Sequence, residues 1–182
     1  LLDRGFHVKL NVVAIKGFNE NEIIDFIAWT KSNNIHVRFI EFMPFEGNKW
    51  NLSKVISYAE IMDIIKVSYK VEKLNDHPNS TSKAYRVSGY QGTFAVISSV
   101  TNHFCASCNR LRLTANGKMR NCLFSKGEED LLGALRKGED ITPIVKKSLL
   151  NKHFKHGGID DIERVEEEGT DLSGRSMILI GG

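Results

Sequence analysis

The sequence is short of cysteine, of net charge and of long apolar runs. Its 182 residues contain three cysteines, an odd and small number that argues against a disulfide scaffold and suits a reducing compartment. The net charge is +3, from 25 Lys and Arg against 22 Asp and Glu, so any basic function must be local. No apolar run is long enough to span a bilayer and no signal peptide is recognisable, so we expect a cytoplasmic protein without a membrane partner.

All three cysteines lie in one stretch, Phe104–Phe124, which reads FCASCNRLRLTANGKMRNCLF. Cys105 and Cys108 form a C-x-x-C pair, which can place two sulfurs on one metal or cluster, and Cys122 follows them. The cations between the cysteines are Arg110, Arg112, Lys118 and Arg120. Soft thiolate ligands beside a row of cations predict a metal or iron–sulfur centre next to an anion site.

The residues between the second and third cysteines have the pattern of a β-hairpin. Leucine and arginine alternate over residues 110–113, which is the period of a strand with two different faces. Asn116-Gly117 is a strong turn signal. A hairpin would bring the third cysteine back to the C-x-x-C pair.

The length of the hairpin loop decides on which face Cys122 lies. A loop of residues 115–117, with Gly117 in the left-handed conformation, sets Arg112 opposite Arg120 and puts Cys122 on the face of the second cysteine. A two-residue loop puts it on the other face. We favour the first register because it gathers the thiols. It also sets two arginines opposite each other, a repulsion that a bound anion could offset.

The cysteine spacing leaves the kind of centre open. Structural zinc takes four ligands, so His103 or His77 would have to complete the set. A 4Fe–4S cluster held by three cysteines leaves one iron without a protein ligand, and that iron can bind a substrate atom. An inert set of thiols, or one disulfide with a free thiol, is the structural alternative. Spacing alone does not separate zinc from iron–sulfur.

The first part of the chain has the pattern of a strand–helix–strand unit. Residues 7–15 predict a strand with one apolar face, and Asn19 with Glu22 predicts a capping box that opens a helix to about Ser32. Residues 37–43 predict a second, almost wholly apolar strand, as in a parallel sheet covered by helices. Taken alone, Lys9 would be a solvated charge, and Arg38 or Glu41 would pair with a neighbouring charge. Met43 would be a core residue.

Further elements follow along the chain. Ser57 and Glu60 form a second capping box, which opens another helix. Residues 83–100 are β-rich, and two later helices are predicted to end at Gly138 and Leu150.

The end of the sequence is basic and then acidic. His153 and His156 have an H-x-x-H spacing, but near a helix end we interpret them as a solvated basic patch. Residues 159–176 are acidic and polar, which predicts a flexible strap, and the chain closes on Gly181-Gly182.

Four stretches of the sequence together form a specific pattern. They are VKLNVVAIKGFNENEI at Val8–Ile23, VRFIEFMPFEGNKW at Val37–Trp50, CASCNRLRLTANGKMRNCLF at Cys105–Phe124, and the final Ile-Gly-Gly. They resemble the radical-SAM GTP cyclase that starts molybdenum-cofactor biosynthesis, the MoaA family. The similarity runs over nearly all of residues 1–125 and resumes at the tail.

The resemblance implies an α/β fold, with an incomplete triosephosphate-isomerase-type (TIM-type) barrel followed by an α+β domain that carries an iron–sulfur hairpin. Residues 1–68 would be the last βα units of the barrel. Residues 69–158 would be the C-terminal cluster- and GTP-binding domain, and residues 159–182 a flexible tail that reaches into the active site. Since the chain starts at Leu1 without a methionine, we expect it to be a C-terminal fragment.

The resemblance also implies the chemistry. The family enzyme, a lyase, rearranges GTP to a cyclised dihydro-GTP, the precursor of cyclic pyranopterin monophosphate, which a downstream cyclic pyranopterin synthase handles. A first 4Fe–4S cluster cleaves S-adenosylmethionine reductively and needs a C-x-x-x-C-x-x-C motif. That motif is absent from the sequence, so we expect the chain alone to be inactive. A homodimer is one option for its assembly.

Site residues follow from the resemblance position by position. The second 4Fe–4S cluster would be held by Cys105, Cys108 and Cys122, and its open iron would take the guanine base. Arg110, Leu111 and Arg112 would hold GTP, and Lys9 and Arg38 its phosphates. Met43 would contact S-adenosylmethionine. We identify no acid–base pair and therefore expect no catalytic residue in this chain.

Two other functions are consistent with part of the pattern. A structural zinc module could use its basic hairpin to bind nucleic acid, although no aromatic platform is interleaved with the arginines. Another radical-SAM enzyme with an auxiliary cluster, such as a peptide maturase, would share the cysteines but not VRFIEFMP. We therefore expect GTP, and no nucleic acid, as the partner.

Overall fold

The structure is a computed structural model that describes residues 1–45, 47–125 and 127–158. The tail predicted at residues 159–182, with its Gly-Gly end, lies outside the described residues. None of the described helices is long and apolar enough to cross a membrane.

The described residues form two compact units. Unit 1 consists of residues 1–43 and 52–104. Unit 2 consists of residues 44–51 and the described residues from Cys105 onward. The cysteines therefore all belong to unit 2, while the two predicted strands of the barrel region belong to unit 1.

Unit 1 is built on a five-stranded mixed sheet. Its strands are β1 (Val8–Ala14), β2 (Ile35–Glu41), β3 (Val71–Lys73), β4 (Ser82–Val87) and β5 (Thr93–Ile97). The spatial order is β1-β2-β5-β4-β3, in which β1, β2 and β5 are parallel and the other two pairings are antiparallel. The α/β fold class predicted from the sequence is confirmed.

Two helices connect the strands of unit 1 and share its core. They are α1 (Ile23–Trp29), between β1 and β2, and α2 (Tyr58–Ser68), between β2 and β3. The apolar face predicted for β1 packs against this core, as alternation requires of a half-buried strand. The core is centred on fully buried side chains from the strands and both helices: Val37, Phe39, Phe94, Val96, Ile27, Ile61 and Ile65.

The two capping boxes predicted for unit 1 have different outcomes. The box at α2 is confirmed, because the Ser57 hydroxyl accepts from the Glu60 amide and the Glu60 carboxylate accepts from the Ser57 amide. A hydrogen bond from Lys16 and those from Ser57 lower the pKa of Glu60 to about 2. The box at Asn19 is wrong: its side-chain oxygen accepts from the Ile15 amide, its side-chain nitrogen donates to the Val13 carbonyl in β1, and α1 starts only at residue 23.

Glu41 is a fully buried carboxylate that joins three segments of unit 1. One of its oxygens accepts from the amide of Tyr58, the first residue of α2, at 3.1 Å. The other accepts from the amides of Val100 at 2.7 Å and Thr101 at 3.0 Å, and the Thr101 hydroxyl donates to the first oxygen. The end of β2 is thereby tied to the start of α2 and to the segment after β5.

The sheet of unit 1 continues past the domain boundary that the sequence predicts at residue 68. β5 pairs in parallel with β2, and β4 and β3 follow it. The structure therefore groups residues 69–104 with β1 and β2 by strand pairing, whereas the predicted domain of residues 69–158 places them with the cysteines.

Unit 2 contains a three-stranded sheet and two helices. The strands are β6 (Arg112–Leu113), β7 (Lys118–Arg120) and β8 (Glu129–Asp130), all antiparallel in that order. The helices are α3 (Leu131–Arg136), capped by the Asp130 side chain, and α4 (Thr142–Leu150). Phe45 of the 44–51 segment stacks on Phe124, with ring centroids 6.0 Å apart.

Candidate metal centre

The hairpin that carries the cysteine region has the register favoured from the sequence. Arg112 pairs with Arg120, and the amide of Thr114 donates to the carbonyl of Lys118 at 2.8 Å. Gly117 has φ of 75°, the left-handed conformation that the three-residue loop requires. This register is therefore confirmed.

Gly117 is also needed for packing. A Cβ at this position would lie 2.3 Å from the Cβ of Leu132, in the first turn of α3. The carbonyl of Gly117 accepts from the amide of Leu132 at 2.9 Å. This hydrogen bond holds the turn of the hairpin against α3, and a side chain at residue 117 would prevent so close an approach.

The three cysteines are free thiols, and each is partly buried. Cys105 opens a short 3-10 turn, Cys105–Ser107, and its carbonyl accepts from the amide of Cys108 at 3.1 Å. The Cys105 sulfur accepts a hydrogen bond from the backbone N–H of His156. The Cys108 sulfur receives the backbone N–H of Arg110, whose Nη1 atom lies 3.9 Å away. Such donors stabilise thiolates and sulfur ligands.

The pKa values of the Cys105 and Cys108 thiols are shifted in opposite directions. Burial raises the pKa of Cys105; the His156 amide and Lys152 oppose this shift, and the nearby Cys122 and Cys108 add to it. Burial also acts on Cys108, but the donors of Arg110 and the charge of Lys152 outweigh it and lower its pKa. Cys108 is therefore the more readily ionised thiol of this pair.

Arg112 lies in the same electrostatic neighbourhood. Burial lowers the pKa of its guanidinium, as does Arg110, while the nearby Cys122 and Cys108 raise it. The structure therefore brings two arginines near the thiols, as the predicted face requires. Leu111, between them, is 38% exposed.

Arg120 has a different environment. Its side chain is 1% exposed, donates to the carbonyl of Ser125, and lies 3.6 Å from the carboxylate of Glu128. The sequence suggests that a bound anion offsets the repulsion between Arg112 and Arg120. The structure supplies this counter-charge internally, since Glu128 pairs with Arg120 and also with Lys118 at 3.8 Å.

The donor set around the hairpin consists of thiols. The described part of the chain contains no group of three or more His, Cys, Asp or Glu side chains placed to hold one metal ion. A tetrahedral zinc site needs its sulfurs about 4 Å apart, because each Zn–S bond is about 2.3 Å. On a 4Fe–4S cluster each cysteine binds a different iron, so the sulfurs lie farther apart. The structure shows three free thiols within electrostatic range of one another, and backbone N–H groups donate to two of them.

His156 is a site residue that the sequence did not indicate. Its side chain is 2% exposed, packs edge-on against Phe124 at 5.8 Å, and its backbone has a φ of 44°. The prediction of a solvated basic patch is wrong for this histidine, although it holds for the exposed His153. The only sequence signal is Gly157-Gly158, which indicates a tight turn just after it.

Unit 1 carries a separate row of cations on one face of its sheet. The register aligns Lys9 of β1, His36 of β2 and Thr93 of β5, and Arg38 lies two residues along β2 on the same face. His36 Nδ1 lies 2.7 Å from the Thr93 hydroxyl. Lys9 is exposed, whereas Arg38 is partly buried.

The cations of this face affect one another. Burial lowers the pKa of His36, and the charges of Arg38 and Lys9 lower it further. Lys9 and Arg38 therefore place two positive charges beside His36 and favour its neutral form. His36 has no motif around it, and only the strand register could have identified it from the sequence. Met43 lies two residues beyond the end of β2 and is partly buried.

A comparison with known families matches residues 35–158 to the Molybdenum Cofactor Synthesis C family. The chain belongs to that family. The Molybdenum Cofactor Synthesis C match begins at the first residue of β2 and includes all three cysteines. The resemblance drawn from the sequence is confirmed.

Relatives of this Molybdenum Cofactor Synthesis C chain are longer proteins. The mouse "Molybdenum cofactor biosynthesis protein 1" is 42% identical over 96% of the chain, which covers 27% of the mouse protein. The "GTP 3',8-cyclase, mitochondrial" of Arabidopsis thaliana is 42% identical over 96% of the chain, which covers 44% of it. The "GTP 3',8-cyclase" of Peptoclostridium acidaminophilum is 41% identical, with 96% of the chain and 51% of that protein covered. The chain thus spans about half or less of these relatives.

Proposed function

We propose that this chain is the C-terminal part of a radical-SAM GTP cyclase of molybdenum-cofactor biosynthesis. The whole protein would rearrange GTP to the cyclised dihydro-GTP precursor of cyclic pyranopterin monophosphate. The observation that carries the proposal is the set of three free thiols on one hairpin and its preceding turn, in a chain of this family. Two of the relatives carry the name GTP 3',8-cyclase, which supports the same activity.

The cluster ligands in this proposal are Cys105, Cys108 and Cys122. The amides of His156 and Arg110 would hold two of the thiolates in place, because N–H donors stabilise charged sulfur. When bound, the 4Fe–4S cluster supplies an iron without a protein ligand for the substrate base.

The GTP ligands in this proposal fall into two groups. In unit 2, Arg110 and Arg112, with the Leu111 backbone between them, would hold GTP, since planar forked donors suit such polar groups. In unit 1, Lys9 and Arg38 would bind its phosphates, and their position beside His36 on one sheet face supports this. Positioning is the main contribution that a radical rearrangement needs from these side chains.

The remaining assignments concern the whole protein. β1, α1 and β2 would be the last units of an incomplete TIM-type barrel, and Met43 would contact S-adenosylmethionine. The first cluster needs a C-x-x-x-C-x-x-C motif, which this sequence does not contain, so we propose that the chain is inactive by itself. A cytoplasmic location, a homodimer, a downstream cyclic pyranopterin synthase and an active-site role for the tail remain proposals.

Anaerobic reconstitution with iron and sulfide tests the cluster. We expect a brown protein with about four irons per chain and broad visible absorbance. Replacement of Cys122 by Ser should lower the iron content, whereas Ser107→Ala, next to the C-x-x-C pair, should leave it unchanged. A colourless protein that binds one zinc would contradict the proposal.

Protection by GTP tests the substrate site. With the cluster in place, GTP should slow the modification of Arg110 and Arg112 by an arginine reagent. The exposed Arg86 of β4 is the control and should react at the same rate with and without GTP. If GTP leaves the modification rates of Arg110 and Arg112 unchanged, the proposed GTP contacts are ruled out.

A zinc module that binds nucleic acid is not favoured. Arg120, one of the three arginines that such a hairpin would use, is buried against Glu128. The described cysteines are also not arranged around a single ion.

A further inference from the structure

Lys152 connects the two arms of the cysteine hairpin where its β-ladder ends. The ladder of β6 and β7 ends at the pair Arg112 and Arg120. Just beyond that pair, Lys152 Nζ donates to the carbonyl oxygen of Arg110 at 2.9 Å and to that of Asn121 at 2.6 Å. One ammonium thus bridges the strands where the backbone pairing has stopped.

The two carbonyls lie next to the cysteines. Arg110 is two residues after Cys108, and Asn121 directly precedes Cys122. A separation of these carbonyls would move the second and third thiols apart. The contacts of Lys152 therefore control the distance between the two arms that carry the predicted cluster ligands.

Lys152 is itself held in place by the end of α4. Its amide donates to the carbonyl of Leu149 at 3.2 Å, and the hydrogen bond from its ammonium to Arg110 is partly buried. Asn121 completes the connection, because its side-chain amide donates to the carbonyls of Ser148 and Asn151, each at 3.1 Å. The hairpin arm and the helix end thus exchange hydrogen bonds in both directions.

The charge of Lys152 also acts on the thiols. Its ammonium lies within electrostatic range of Cys105 and Cys108, where it favours the thiolate forms. A fixed cation near a cluster favours the reduced state, because reduction adds a negative charge. The same side chain can therefore both space the arms and raise the reduction potential.

We propose that Lys152 is a positioning residue for the iron–sulfur cluster, which clamps the two cysteine-bearing arms and raises the reduction potential of the cluster. The inference rests on the proposed function for the cluster itself. The clamp is formed by the protein alone and can be tested without iron.

Hydrogen exchange on the iron-free full chain tests the clamp. Lys152→Met should speed amide exchange in the segment around Asn121 and Cys122 roughly tenfold, as expected when a charged donor to two carbonyls is lost. Lys152→Arg, which can still donate to two carbonyls, should keep most of the protection. The control is Lys146→Met, at an exposed lysine of α4. Equal exchange in the Lys152→Met and Lys146→Met variants would overturn the clamp.

Cluster properties test the second half of the proposal. After anaerobic reconstitution, Lys152→Met should lose iron to a chelator faster than the unsubstituted chain, and its reduction potential should move to a more negative value. Lys152→Gln, which keeps a donor without the charge, should shift the potential in the same direction while retaining part of the protection. A potential that is unchanged in both variants would overturn the electrostatic role.

The hydrogen-exchange experiment and the cluster measurements keep the two proposals distinguishable. If no variant and not even the unsubstituted chain takes up iron, the proposed function fails, and the exchange experiment still decides whether Lys152 clamps the hairpin. If iron is bound equally well and equally tightly with and without Lys152, the positioning role fails while the cluster stands.

Discussion

At the scale of single residues, burial decides roles that the residue type does not show. Arg120 and His156 are residue types typical of a basic, solvated surface, yet both are almost fully buried. Arg120 can be buried because Glu128 and the carbonyl of Ser125 meet its guanidinium, and those partners follow it in the chain at no recognisable spacing. Such partners arise from tertiary packing, which the sequence pattern does not encode locally.

His36 provides a residue-scale prediction about pH. Burial, Arg38 and Lys9 lower its pKa, so the neutral form is favoured in the folded chain. Lys9→Gln should raise the pKa of His36, because one of the repelling charges is removed. The measurement is an NMR titration of the imidazole, with Lys66→Gln at an exposed position of α2 as the control.

The same titration reports on the proposed phosphate contacts. A phosphate group bound by Lys9 and Arg38 would add negative charge beside His36 and should raise its pKa. If GTP leaves the titration of His36 unchanged at saturating concentration, Lys9 and Arg38 do not hold the phosphates next to this histidine.

At the scale of elements, the sequence predicts structure well where a few neighbouring residues decide it. The capping box of Ser57 and Glu60 and the left-handed Gly117 are both local arrangements, and both are confirmed. The box predicted at Asn19 fails because the same side-chain amide can bond the turn before the helix instead. The sequence offers both local options and does not rank them.

Glu41 provides the element-scale prediction. Glu41→Leu would leave the buried amide of Val100 without its acceptor, and the partly buried amides of Thr101 and Tyr58 as well. We expect a loss of roughly 3 kcal/mol or more in the free energy of unfolding, since each orphaned buried donor costs about 1–3 kcal/mol. Urea denaturation of the full chain measures it.

Two further variants separate charge from shape at this position. Glu41→Gln keeps one carbonyl acceptor and should cost less than the leucine variant. Glu72→Gln, which changes an exposed carboxylate of β3 bonded to Ser88, should stay within about 0.5 kcal/mol of the unsubstituted chain. If Glu41→Leu also stays within that range, the carboxylate does not hold the three segments together.

At the scale of the whole molecule, the sequence predicts the α/β class and the place of the thiols but not how the sheet is completed. The parallel pairing of β5 with β2 joins residues far apart in the chain, and no local pattern specifies it. The sheet therefore continues into residues that the resemblance assigns to the cysteine-bearing domain. The three cysteines could be singled out from motif spacing, whereas the contacts of Lys152 and His156 depend on how the chain folds back.

The edge of the sheet gives a whole-molecule prediction. In the described part of the chain, β1 has a neighbour on one side only, and its Val13 side chain is 43% exposed. An open seven-residue edge strand can pair with another copy, so we expect association that increases with protein concentration. Val13→Lys should weaken it roughly tenfold, and sedimentation velocity over a concentration series measures this.

A substitution in unit 2 is the control for this association. Leu135→Lys, at a 61% exposed position of α3, adds the same charge away from β1 and should leave the association unchanged. A chain that sediments as a monomer at every concentration would exclude pairing through the β1 edge.

The stacking of Phe45 on Phe124 limits how this protein can be divided. Phe45 precedes most of unit 1 in the gene, yet it belongs with the cysteine-bearing unit. A shortened chain that starts at residue 105 would therefore lack the ring that stacks on Phe124. A laboratory that wishes to study the cysteine-bearing unit alone should graft residues 44–51 back onto it through a designed linker.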